Sequence, residues 1–160
     1  MSMGAVHPRV LGFLGRALSL ELTAVQQYMT QASLVELWGD HEAAVRFRQE
    51  TVEEMRHAEL IVQRMLALGV APAASQLRPV AHASDLVGLL HHDQRLEADL
   101  IELYGDAVRF CLLIGDGDHR TFFAGLLDDE QHHAREIDAW LLQLGASSAS
   151  THDARARATF

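Results

Sequence analysis

Apolar residues recur at spacings of three and four in four long stretches of the chain, the period of helices that bury one face. The first stretch runs from about Pro8 to Trp38 and sets Leu11, Leu14, Leu18, Val25, Tyr28 and Val35 on one side. Trp38, Gly39 and Asp40 end it. Asp40 is placed to cap a second helix from about His41 to Leu68, which Gly69 closes. The following "GVAPAASQLRPVAH" contains Pro72 and Pro79 and reads as an extended connection, because proline cannot donate inside a helix. A third helix starts near Ser84 or Asp85 and ends at "IGDGD"; a fourth runs from about Asp118 to Leu144. Residues 146–160 lose the periodicity and read as a flexible tail or a weak short helix, so residues 1–145 form the bundle. Two long hairpins joined by a long crossover between the second and third helices predict an all-α four-helix bundle of ferritin-like connectivity. A simple up-and-down bundle would use only short loops.

Charged residues interrupt the apolar stripes at matched places. Glu54 and His57 lie three residues apart along the stripe of Phe47, Ile61 and Met65. Upstream, in the partner helix, Glu21 lies on the stripe between Leu18 and Val25. The second hairpin repeats the pattern: Glu130 and His133 form the same Glu-x-x-His, and Glu97 precedes Glu130 by the same interval that separates Glu21 from Glu54. One constant offset therefore carries Glu21 onto Glu97, Glu54 onto Glu130 and His57 onto His133. Glu21 is roughly 26 Å of helix from the first hairpin turn, and Glu54 is roughly 21 Å from it on the way back. Both carboxylates therefore reach a similar height, and all six side chains should converge near the bundle middle. His132 is excluded from the set, since two residues from Glu130 turns it about 200° away. The two tyrosines of the chain, Tyr28 and Tyr104, each follow their hairpin's first glutamate by seven residues, on the same face. Each is expected to hydrogen-bond into the site from behind the ligands.

Four carboxylates left alone in one core would repel one another and take up protons. Two divalent cations remove that conflict. Hard oxygen ligands with one imidazole per metal suit iron or manganese, whereas structural zinc favours more thiolate and imidazole. One Glu-x-x-His is commonplace as a solvated helical pair; two, each matched by a stripe glutamate at equal distance, point to a dinuclear centre.

Composition narrows the setting. The 160 residues carry a net charge of −9 and no basic tract, so no nucleic-acid partner is expected. Cys111 is the single cysteine, which excludes an intrachain disulfide and reads as a buried apolar filler. No run of about 18 apolar residues predicts a membrane span. Arg16 and Glu21 interrupt the first apolar stretch, so no secretory leader is read there and a cytoplasmic setting is expected. His41, His91, His92 and His119 stand near helix starts and are expected to be mostly solvated.

In order and without register change, "ELTAVQQY", "ETVEEMRHAELIVQRML", "RLEADL" and "LLDDEQHH" resemble the motifs of the bacterioferritins over about residues 8 to 135. The resemblance implies a ferritin-like bundle with a ferroxidase centre of two iron ions per subunit. Glu21, Glu54, His57, Glu97, Glu130 and His133 would be its ligands, with Glu54 and Glu130 bridging. It implies oxidation of Fe²⁺ by O₂ or H₂O₂ and storage of ferric mineral in a hollow cage, of 24 subunits built from homodimers. It also implies that Met55, which points about 100° from Glu54 beside Leu22, Gln26 and Met29, binds haem b between two subunits. Arg48 departs from the family pattern near that pocket. The tail "GASSASTHDARARATF" departs from the fifth helix that lines a cage axis in the family.

Other dinuclear proteins are less well matched. An oxygenase usually needs larger helices or an added domain. A rubrerythrin-like peroxidase needs four cysteines for its second iron site. A DNA-protecting miniferritin shares its metal site between subunits, and an inactive cage subunit would lack a ligand. The remaining alternative is a small di-iron oxidase, peroxidase or oxygenase that stores no mineral.

Overall fold

A computed structural model of the chain describes residues 4–73 and 75–157, with side chains described through residue 145. Four helices follow in order: α1 (Pro8–Leu37), α2 (His41–Ala67), α3 (Leu86–Ile114) and α4 (Gly117–Arg157). Local chemistry sets their ends. Pro8 opens α1, where its missing N–H costs nothing. Asp40 accepts from the Ala43 N–H at 3.0 Å, Asp85 from Gly88 at 2.8 Å, and Asp116 from His119 at 3.1 Å. Each cap satisfies an N–H that the helix leaves without a partner. The two hairpin turns pass through Gly39 (φ 85°) and Gly115 (φ 73°), a left-handed conformation that a side chain would strain.

Helices α1 and α2 form one antiparallel hairpin, α3 and α4 the other, and α1 lies against α3. Residues 68–85 carry the chain from the end of α2 back to the start of α3. This crossover is fastened along α1: the Gln76 N–H donates to Ser19 Oγ and the Arg78 N–H to Thr23 Oγ1, while the Arg78 side chain pairs with Asp99 of α3. This is the four-helix bundle with a long crossover that the periodicity predicts.

Tyr28, Tyr104, Phe47, Phe123, Leu14, Ile61, Leu89, Leu90 and Leu100 are fully buried between the helices. Each large apolar side chain so placed contributes about 2–3 kcal/mol. Two stripe positions differ from expectation: Leu11 and Val25 are only half-buried, while Phe13, Ala17, Ala24 and Ala32 face the core. The buried face of α1 is therefore turned slightly from the line of large residues. Helix α4 shows no break near residue 145; its backbone continues helically to Arg157, and residues 158–160 lie outside those described. Cys111 is buried as expected. His119 is a correction: it faces inward and is buried, because its Nδ1 pairs with the capping Asp116 at 2.9 Å.

Candidate metal centre

Midway along the bundle the stripes of all four helices turn polar. Glu21, Glu54, Glu97 and Glu130 are each 0% exposed, and His57 and His133 are 3% exposed. All six residues singled out from the sequence lie there. Glu21, Glu54, His57 and Glu130 bring one ligand atom each within 4.8 Å of one another, as do Glu54, Glu97, Glu130 and His133. Glu54 and Glu130 belong to both groups, so two adjacent points share these carboxylates. The imidazoles are stacked with centroids 5.8 Å apart. His57 Nδ1 lies 2.9 Å from Glu130, 3.3 Å from Glu54 and 3.6 Å from Glu21. His133 Nδ1 lies 3.0 Å from Glu54 and 3.3 Å from Glu130.

Several of these atoms have no hydrogen-bond partner: Glu21 Oε2, Glu54 Oε1, Glu97 Oε2, Glu130 Oε2 and His133 Nδ1. Buried polar atoms are rarely left so. Glu54 Oε1 and His133 Nδ1 are 3.0 Å apart yet not aligned to bond each other. Lone pairs that converge without pairing are what a cation between them would use, so the donor set suits two divalent ions.

Each tyrosine reaches across the bundle from its own hairpin to the opposite one. Tyr28 of α1 donates to Glu97 Oε1 of α3 at 2.6 Å, and Tyr104 of α3 donates to Glu21 Oε1 of α1. Each phenol holds one oxygen of a glutamate that belongs to only one of the two groups of four and leaves its other oxygen unpartnered.

The electrostatics follow from burial. Burial, then the Glu21 charge, pushes Glu54 up to about 8. Burial likewise raises Glu97 and Glu130, each aided by a neighbouring glutamate. Glu21 goes the other way: burial opposes its charge, but hydrogen bonds with His57 and Glu54 outweigh it. Burial disfavours a charged imidazole, yet the carboxylates crowded around each ring, Glu130 first, push His133 up to about 12 and His57 well above the usual histidine range. Without metal, imidazolium protons supply the positive charge that the carboxylates need.

Other polar groups escaped the sequence reading. Asp93 is fully buried one turn before Glu97, and the side-chain amides of Gln27 and Gln31 both donate to its Oδ1 at 2.7 Å. A buried aspartate flanked by polar residues on α3 has no repeat partner that would expose it. Glu50, Glu53 and Asp129 contact the two histidines at the rim of the site.

Fold and site together define a four-helix bundle that buries, within one chain, two carboxylate- and histidine-rich groups able to hold metal. The ferritin-like domain family model matches residues 12–146. Bacterioferritin of Rhodobacter capsulatus is 36% identical over 125 residues, 78% of each chain. That of Brucella melitensis is 32% identical over 135 residues, 84% of each. The structure of Rhodobacter capsulatus bacterioferritin, with a metal-free dinuclear site and haem iron in a crystallographic special position, matches with a TM-score of 0.84 at 32% identity, covering 88% of each chain. The chain therefore belongs to the bacterioferritin family of ferritin-like proteins.

Proposed function

We propose that this protein oxidises Fe²⁺ at the centre formed by Glu21, Glu54, His57, Glu97, Glu130 and His133 and stores the ferric product in a hollow assembly of its own copies. The observation that carries this is the pair of buried four-residue groups sharing Glu54 and Glu130. Glu54 and Glu130 each reach both positions and would bridge two Fe²⁺. His57 and His133 supply one Nδ1 to each. Tyr28 and Tyr104 hold the outer oxygens of Glu97 and Glu21, which fixes the ligand geometry from behind. Two Fe²⁺ bound there give one electron each to O₂ or H₂O₂. Hard carboxylates favour the Fe³⁺ so formed. Protons leave His57 and His133 Nδ1 as iron arrives, since a protonated nitrogen cannot ligate.

The assembly is a homodimer repeated into a 24-subunit cage, in the cytoplasm. Support for the dimer comes from an apolar face with no cover: Met29 is 53% exposed, Val52 67% and Met55 56%. Such a patch calls for a partner. Met55 presents its thioether on this face and would ligate haem b together with the Met55 of a second copy; a bound haem supplies an electron path for iron release. Arg48, exposed and 3.8 Å from Glu36, lies beside Val52. Among the described residues no helix is long and apolar enough to cross a membrane.

The test is aerobic addition of excess Fe²⁺, followed by rate and retained iron per chain. Far more than two irons per chain are expected, and Glu54→Ala or Glu130→Ala should abolish the rapid phase. Two or fewer would make the protein a dinuclear oxidase without storage, and unchanged rates in the variants would sink the assigned centre. Met55→Leu should remove the Soret band of protein from haem-replete cells.

A further inference from the structure

The two histidines are gripped on their far sides as well. His57 Nε2 on α2 lies 3.1 Å from Asp129 Oδ2 on α4. His133 Nε2 on α4 pairs with Glu53 on α2. Asp129 immediately precedes Glu130, Glu53 immediately precedes Glu54, and the two are therefore related by the same offset as the ligands. Each carboxylate thus stands next to one hairpin's shared glutamate and reaches across to the opposite hairpin's histidine. Asp129 and Glu53 are 54% and 56% exposed, whereas the rings they hold are buried. Neither belongs to the two buried groups of four that share Glu54 and Glu130.

An imidazole can offer either nitrogen, and the hydrogen bond made by one decides which faces the metal. With Nε2 engaged by a rim carboxylate, Nδ1 is left toward Glu54 and Glu130. We propose that Asp129 and Glu53 are a reciprocal pair of positioning residues, each setting the ring of the opposite hairpin's histidine so that Nδ1 ligates. They act as crossed clasps between α2 and α4, as Tyr28 and Tyr104 do between α1 and α3. The surroundings differ in one respect. His133 Nδ1 also has Glu50 at 3.7 Å, and Glu50, Glu53 and His133 form a third, more open carboxylate group. The repeat equivalent of Glu50 is Leu126, so His57 has no such group. Asp129 is therefore the cleaner member to test. The inference rests on the dinuclear reading above.

The test uses Co²⁺ as the probe, followed by its visible ligand-field bands in the full-length assembly. Wild type should take two Co²⁺ per chain. Asp129→Ala should weaken one of them by about 10–100-fold and leave the other within about threefold. Asp129→Asn, which keeps an acceptor oxygen, should fall between. Asp128→Ala, an equal charge change one residue away on the surface, should behave as wild type. In a His133→Ala chain the remaining Co²⁺ should lose its full factor on Asp129→Ala; in a His57→Ala chain it should be indifferent. Equal loss at both positions, no loss, or the same loss from Asp128→Ala would overturn the clasp while leaving the dinuclear centre standing. A wild type that takes no Co²⁺ pair would remove the centre itself, and the clasp with it.

Discussion

Replacing Asp93 by Asn should stabilise the metal-free protein, and more so at high pH. Asp93 is fully buried, and its Oδ2 has no partner although Oδ1 accepts from Gln27 and Gln31. Burial pushes the carboxyl up from 3.8 to about 7 against those two amide bonds, with Glu50 adding repulsion. Arg46, Glu50 and Glu136 line the cavity of about 20 Å³ beside it, with Tyr28, Phe47 and Trp140. The folded state thus binds this proton more tightly than the unfolded chain. Its stabilising effect is complete below about pH 4 and is lost as pH rises through about 7. At pH 8 the ionised carboxylate costs about 4 kcal/mol relative to its neutral form. Relaxation and water entry into the cavity reduce that to roughly 2 kcal/mol. Asn keeps Oδ1 as the acceptor for both glutamines and carries no charge. Thermal unfolding of chelator-treated Asp93→Asn and wild type should differ by about 4–8 °C at pH 8, and by less than half of that at pH 5. A variant that is less stable at both pH values, or whose gain does not change with pH, would refute the reasoning.

Other outcomes follow from the same electrostatics. Because His57, His133 and Glu54 hold protons in the metal-free state, divalent-cation binding must expel them; affinity should climb between pH 6 and 8 by about tenfold per pH unit for each proton released. Calorimetry in buffers of different ionisation enthalpy would count those protons, and a count of zero would contradict the assigned ligands. Tyr28→Phe removes the donor to Glu97 Oε1 and should cost about 1–3 kcal/mol of stability in the metal-free chain. The same variant should weaken one of two bound Co²⁺ by about 10–100-fold, read in the visible spectrum.

Much of this was legible because the chain states it twice. Helical periodicity marked all four helices, and Gly39 and Asp40 announced the first turn as "IGDGD" did the second. The six convergent residues were found because one offset maps Glu21, Glu54 and His57 onto Glu97, Glu130 and His133, which makes a chance explanation poor. Groups outside the repeat were not found. Asp93, Gln27 and Gln31 look like ordinary helix-surface residues, and only their facing one another across α1 and α3 makes them a network. Asp129 and Glu53 carry the repeat, but their role depends on a reach between α2 and α4 that spacing along one helix does not reveal. His119 looked like a solvated helix start because the bond to Asp116 that turns it inward is a matter of cap geometry.

The repeat also says where the halves differ. Phe47 and Phe123 correspond, as do Ile61 and Ile137, and both Phe–Tyr ring pairs have centroids 6.3 Å apart. The counterparts of Gln27, Gln31 and Asp93 are Leu103, Ala107 and Ala17, all apolar. One flank of the candidate centre is therefore built from hydrogen bonds and the other from hydrocarbon. Removing one member of a buried network leaves its partners unsatisfied, whereas removing all of them together does not. Asp93→Ala alone strands two buried amides and should cost about 2–4 kcal/mol. Adding Gln27→Leu and Gln31→Ala copies the apolar flank and should recover most of that loss, although the lost volume keeps it from recovering everything. Denaturant unfolding of the metal-free chains at pH 5, where Asp93 is largely protonated and its charge does not enter, decides it. A triple variant less stable than Asp93→Ala would mean that the polar flank is needed for packing that the repeat does not supply.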